Sequence, residues 1–114
     1  MTDGDQFLFP VGDVMAALPL PADDEWPEGV WDTEVWADRA VSVLAFAPHG
    51  RDYQSPHDRD ELYVVVRGSG TFSRDREMRH FGPGDLIVVP AGVPHRFEEF
   101  TDDLFTWVVF WGPS

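Results

Sequence analysis

From residue 40 onward turn residues cut the chain into short stretches at close intervals, and this punctuation constrains the fold more than any other feature. The stretches Val41–Phe46, Glu61–Arg67, Gly70–Arg74, Glu77–Phe81, Asp85–Val89, His95–Phe100 and Thr106–Trp111 read as strands. Gly68-Ser69-Gly70 reads as a hairpin turn, because glycine reaches positive φ without a steric penalty. Pro83-Gly84 and Pro90-Ala91-Gly92 mark further turns. Short strands at such spacing predict an all-β sandwich or barrel. The glycines at 68 and 70 do not form a nucleotide loop, since no helix follows and no lysine is near.

Strand parity then says what must cover these strands. Side chains at i and i+2 share a face. Glu61, Tyr63 and Val65 therefore oppose Leu62, Val64 and Val66, and Phe105, Trp107, Val109 and Trp111 oppose Val108 and Phe110. Strands apolar on both faces need cover on both. One face fills the barrel. The other calls for the N-terminal segment or a second copy of the chain, so a homodimer is expected.

Residues 1–39 precede this pattern and form an acidic segment expected to pack on the barrel (residues 40–114) or at the dimer interface. Asp13 is positioned to cap one helical turn through Leu18, and Pro19, Pro21 and Pro27 prevent its continuation. Trp26, Trp31 and Trp36 recur every five residues, which fits neither a helix stripe nor strand alternation. They are expected outside the barrel or across the dimer interface, unless one lines the mouth of a pocket.

The net charge of −13 is concentrated in this segment: residues 1–38 hold ten Asp or Glu and no Lys or Arg. Such a surface repels phosphate backbones and anionic lipid, which argues against nucleic acid and membrane as partners. There is no run of 18 apolar residues, and Met1 is followed by Thr-Asp-Gly-Asp, so neither a membrane span nor a signal peptide is expected. The absence of cysteine excludes disulfides, thiolate metal sites and a Cys nucleophile, and fits a cytoplasmic location.

Chemistry concentrates in two stretches. His57 and Glu61 stand just before an apolar run, and His95 stands at a strand start after Pro90-Ala91-Gly92. Two imidazoles and one carboxylate brought together by two hairpins suit a divalent metal, leaving positions for water or a small molecule. Fe, Mn, Ni, Zn and Cu are all compatible with the set. Tyr63 and Phe97 are in phase with these residues and can line a pocket.

The spacings resemble those of the cupins. In that family one motif reads glycine, five residues, His-any-His, three or four residues, Glu, six residues, glycine. His57, Glu61 and Gly68 match it. The second motif reads glycine, five residues, Pro-any-Gly, two residues, His, three residues, Asn. Gly84, Pro90, Gly92 and His95 match at every spacing. The chain departs from the family at three positions: Ser55 stands where the first His is usual, His49 falls at the leading glycine with Gly50 one place late, and Glu99 replaces the final Asn. The resemblance covers residues 40 to 112.

It implies an antiparallel jelly-roll barrel with the site inside. It also implies a metal held by His57, Glu61 and His95, with Ser55, Gln54 or His49 as candidates for a further ligand and Glu99 for a supporting carboxylate. Dioxygenase or isomerase chemistry on a small molecule would follow. A pocket that binds a metabolite without chemistry, and a metal-free isomerase of the sugar-epimerase kind, are the alternatives.

Overall fold

The computed structural model describes residues 6–52 and 57–112. Helix α1 (Val11–Ala16) precedes strands β1 (Asp32–Asp38), β2 (Val41–Phe46), β3 (Asp60–Arg67), β4 (Gly70–Arg74), β5 (Glu77–Phe81), β6 (Leu86–Val89), β7 (His95–Phe100) and β8 (Phe105–Trp111). The strands form a five-stranded sheet in the order β1-β2-β8-β3-β6 and a three-stranded sheet in the order β5-β4-β7. Every pairing is antiparallel. The architecture is all-β, as expected from the punctuation, in the jelly-roll form that the family resemblance implied. No helix among the described residues is long and apolar enough to cross a membrane.

All seven expected strands are present, with ends displaced by one residue in three of them. β6 begins after Asp85 because that carboxylate accepts the Gly82 N–H at 2.8 Å and closes the turn. Gly70 is required by proximity. A Cβ there would lie 1.9 Å from the Glu99 carbonyl oxygen, so no side chain fits where β4 crosses β7.

Inner-face residues of both sheets build the core. Tyr63, Val65, Phe72, Phe81, Val89, Phe97 and Val108 are all buried, with Phe46 among them. Phe97 is the hub: Phe72, Tyr63 and Phe81 meet it edge to face at 4.8, 5.0 and 5.3 Å between ring centres. Each ring withdrawn from water contributes on the order of 1.5–3 kcal/mol, and the edge-to-face geometry adds about 0.5–1.5 kcal/mol per pair. This aromatic floor fixes the strand ends that carry the site.

The N-terminal segment differs from expectation. It is not irregular throughout: residues 32–38 form β1, which pairs with β2 from Asp32↔Phe46 to Asp38↔Val41 across a bulge between Glu34 and Trp36. The bulge breaks the period-two pattern and hides the strand from sequence inspection. Helix α1 starts two residues before Asp13, which lies inside its first turn. Pro10 occupies the N-cap without a side-chain bond, and its carbonyl accepts from Asp13 N and Val14 N.

The three tryptophans separate. Trp26 is a core residue, meeting Phe46 edge-on at 5.9 Å, which corrects the expectation that it packs outside. Trp31 stacks on His49. Trp36 flanks a hollow on the outer face of the large sheet, with Phe7, Phe9, Val43 and Trp107.

Candidate metal centre

Hydrogen bonding joins the two motif stretches directly. Gly92 N–H donates to the His57 carbonyl at 2.6 Å, so the turn ahead of β7 holds the residue that leads into β3. Glu61 lies near the start of β3 and faces inward with Tyr63, and His95 opens β7 with its side chain on the inner face. Asp52 ties the preceding loop to the same strand, its buried Oδ2 accepting the Phe97 N–H at 2.9 Å.

One ligand atom each from His57, Glu61 and His95 lies within 4.8 Å of the other two. His95 Nε2 is 2.8 Å from Glu61 Oε1, and His57 Nε2 is 3.7 Å from the same oxygen. Neighbouring ligand atoms around an ion at about 2.1 Å stand roughly 3 Å apart, so these separations suit a shared ion. His57 is half-exposed, whereas His95 and Glu61 are sealed.

The proton inventory sharpens the fit. His95 Nδ1 lies 2.9 Å from the Val93 carbonyl. A carbonyl oxygen only accepts, so Nδ1 carries a proton. The neutral ring then presents a lone pair at Nε2 to a carboxylate oxygen that also only accepts. Two acceptors at 2.8 Å need a proton or a cation between them. Although they are close enough for an ion pair, neither His95 Nε2 nor Glu61 Oε1 forms a hydrogen bond of acceptable geometry.

In the metal-free protein the proton fills this role. Burial works to lower the pKa of His95, but the Glu61 carboxylate, the Val93 carbonyl and the charge of Asp52 together outweigh it and raise the value above that of an ordinary histidine. A divalent ion would take the place of that proton. The set therefore fits a metal.

His57 and Glu61, but not His95, line a cavity of about 80 Å³ together with Asp32, Leu44, Phe46, Tyr63, Val108 and Phe110. The His57 ring meets Phe110 edge to face at 4.9 Å. A larger hollow of about 360 Å³ lies between β5 and β6, with His80 on its lining, and shares none of the three residues.

The other sequence candidates distribute as follows. Tyr63 lines the cavity, as parity suggested. Phe97 does not; it lies in the aromatic core. His49 stacks on Trp31 at 5.0 Å and lines a separate hollow with Arg67 and Asp102. Glu99 is exposed on β7, opposite Thr71, where the bulge has altered its phase relative to His95. Ser55 and Gln54 lie outside the described residues. Asp32 was not foreseen. It follows no motif spacing, and only the register Asp32↔Phe46 brings it to the cavity. Burial, followed by the charges of Asp23 and Glu25, pushes its carboxyl up, against a smaller opposite pull from His57.

Comparison with known proteins agrees with the fold. The family described as Cupin domain matches residues 42–111. An uncharacterized protein of Streptomyces coelicolor is 36% identical over 75 residues, covering 66% of this chain and 71% of its own. Acireductone dioxygenase of Rhodopseudomonas palustris is 44% identical over 45 residues, 36% of this chain but only 27% of the enzyme. Dimethylsulfoniopropionate lyase DddQ of Ruegeria pomeroyi is 29% identical over 77 residues, covering 66% of this chain and 38% of the lyase. Its crystal structure superposes with a TM-score of 0.56 at 25% identity, over 64% of this chain and 39% of that one.

Proposed function

The chain belongs to the cupin domain family, and from that premise we propose that it holds a divalent first-row transition metal through His57, Glu61 and His95 and acts there on a small molecule. The observation that carries this is the pair of buried acceptor atoms, His95 Nε2 and Glu61 Oε1, facing each other at 2.8 Å with His57 beside them.

Bound in that position, Fe, Mn, Ni, Zn or Cu supplies Lewis acidity and a lowered pKa for bound water. The rest of the chemistry belongs to the chain. The Val93 carbonyl fixes the tautomer of His95 and aims Nε2 at the site. Glu61 offsets part of the charge, leaving a centre suited to an anionic or enolate oxygen ligand. Leu44, Phe46, Val108 and Phe110 line the cavity with apolar surface, which lowers the local dielectric and strengthens electrostatic interactions inside it.

The reaction class we favour is dioxygenation or isomerisation, as supported by the similarity to acireductone dioxygenases; the chain spans about a quarter of their length. A reducing, cytoplasmic setting suits a protein without cysteine. Pairing with a second copy through the outer face of the large sheet is supported by cross-strand neighbours Val109, Leu62 and Val88 in one row and Trp107, Val64 and Leu86 in the next.

The test is to load the protein with each metal and offer small enediols, 2-oxo acids and sugars while following oxygen uptake and product isomers. Turnover by the wild type and none by His95→Ala is expected. A fully loaded protein that converts none of them, yet yields a tightly held metabolite on denaturation, would instead be a binding module.

A further inference from the structure

We propose that Asp32 selects the substrate at this centre by binding a cationic nitrogen on the small molecule. This deepens the metal-centre assignment and rests on it. Asp32 opens β1, opposite Phe46, and lies outside the residues 42–111 that match the family. The selecting group thus comes from a strand outside the stretch that matches the family.

Three observations converge on a cation. First, Asp32 lines the same cavity as His57 and Glu61 with its carboxyl partly withdrawn from water, and among the described residues no hydrogen bond or ion pair to it is present. A carboxylate half-removed from water without a partner is unfavourable, and a ligand that donates to it recovers that loss. Second, apart from Tyr63, His57 and Glu61 the rest of the lining is apolar: Leu44, Phe46, Val108 and Phe110. Such walls offer an anion few hydrogen-bond donors, and aromatic rings attract positive charge, as Phe110 already does for the Arg59 guanidinium 5.9 Å from its ring centre. Third, Asp23 and Glu25 are close enough to press on Asp32, adding to the effect of burial and opposed by His57. Their field disfavours the Asp32 anion while the cavity lacks a cation, and it draws cations to the mouth.

Asp32 is not one of the grouped ligand atoms. The set within 4.8 Å comprises His57, Glu61 and His95 alone among the described residues. The arrangement therefore divides the work: the metal takes the oxygen end of the substrate and Asp32 takes the nitrogen end. A cavity of about 80 Å³ limits the enclosed part to a few atoms, so the two ends lie close together in the molecule.

Two hydroxamates of near-equal shape provide the test. Glycine hydroxamate carries an ammonium group where propionohydroxamate carries a methyl, and both bind metals through two oxygens. Their affinities are measured by isothermal titration and by the visible spectrum of the Co(II)-loaded protein, with metal content determined on the same samples. Wild type should bind the glycine compound about tenfold tighter or better, the range of one well-placed charge. Asp32→Asn should bring the ratio to about one with metal content unchanged, and Asp32→Glu should retain a preference.

Equal affinities in wild type, or a ratio unmoved by Asp32→Asn, overturn the proposal while leaving the metal centre standing. Loss of metal in Asp32→Asn overturns it by making Asp32 a ligand. A wild-type chain that loads no cobalt overturns both. Where Asp32→Asn does not fold, the wild-type ratio and Asp32→Glu decide.

Discussion

His95 Nε2 sits 2.8 Å from Glu61 Oε1 inside the barrel, with both side chains almost wholly sealed from solvent. Because Val93 already takes the proton on Nδ1, the pair is held together by a second proton when no metal is present. The His95 pKa is raised, so this contribution to stability is complete below the pKa of an unfolded histidine and disappears as pH rises through the higher folded value. The metal-free protein should therefore lose melting temperature across that window, and His95→Gln should flatten the loss. Thermal unfolding followed by circular dichroism between pH 5 and about pH 9 reads this out. An unchanged slope in the variant would show that His95 is not the group concerned.

Glu61 Oε1 lies beside both histidines, 2.8 Å from His95 Nε2 and 3.7 Å from His57 Nε2. Glu61→Gln should weaken metal binding by more than about 100-fold, since loss of an outer-shell partner alone costs roughly 10–100-fold. Competition with a chelating dye measures it.

Asp52 secures β7 through the Phe97 N–H. Asp52→Ala leaves that buried donor without its acceptor and should destabilise the fold by about 1–3 kcal/mol, with Asp52→Asn milder because an amide oxygen remains. Urea unfolding compares the two. The alanine variant should also bind metal more weakly, as β7 carries His95.

The outer face of the large sheet leaves Val64, Leu86 and Val88 exposed at 37%, 60% and 45%. Val64→Glu with Leu86→Glu should convert a dimer to a monomer in sedimentation velocity while changing the stability of the monomer fold by no more than about 0.5 kcal/mol. A wild-type protein that sediments as a monomer removes this prediction.

Much of the site was legible because two hairpins impose their own spacing. The spacing of His57, Glu61 and Gly68 and that of Gly84, Pro90 and His95 set each stretch locally, and the packing of the two sheets brings His57, Glu61 and His95 together. Parity likewise anticipated Tyr63 on the cavity wall. It placed Phe97 on the same inner face, where the ring takes the ordinary core position and packs against Phe72 and Phe81 beneath the site instead of lining the cavity. The supporting carboxylate that the resemblance implied at Glu99 is exposed instead, where the β4–β7 register slips between Thr71 and Phe72. The N-terminal residues were obscured for another reason. β1 is an edge strand with a bulge, and its acids and Trp36 follow no simple period, so Asp32 could be placed only once its pairing with Phe46 was known.

The central claim is that the proton between His95 and Glu61 stands where a metal belongs, and metal content tests it most directly. Untagged protein, isolated without chelator, is measured by plasma mass spectrometry beside His57→Ala and His95→Ala, with circular dichroism confirming that each is folded. The account predicts close to one first-row transition metal per wild-type chain and its loss from both folded variants. A folded wild-type protein that carries none, and takes up none when Fe, Mn, Ni, Zn and Cu are offered in turn, would contradict it.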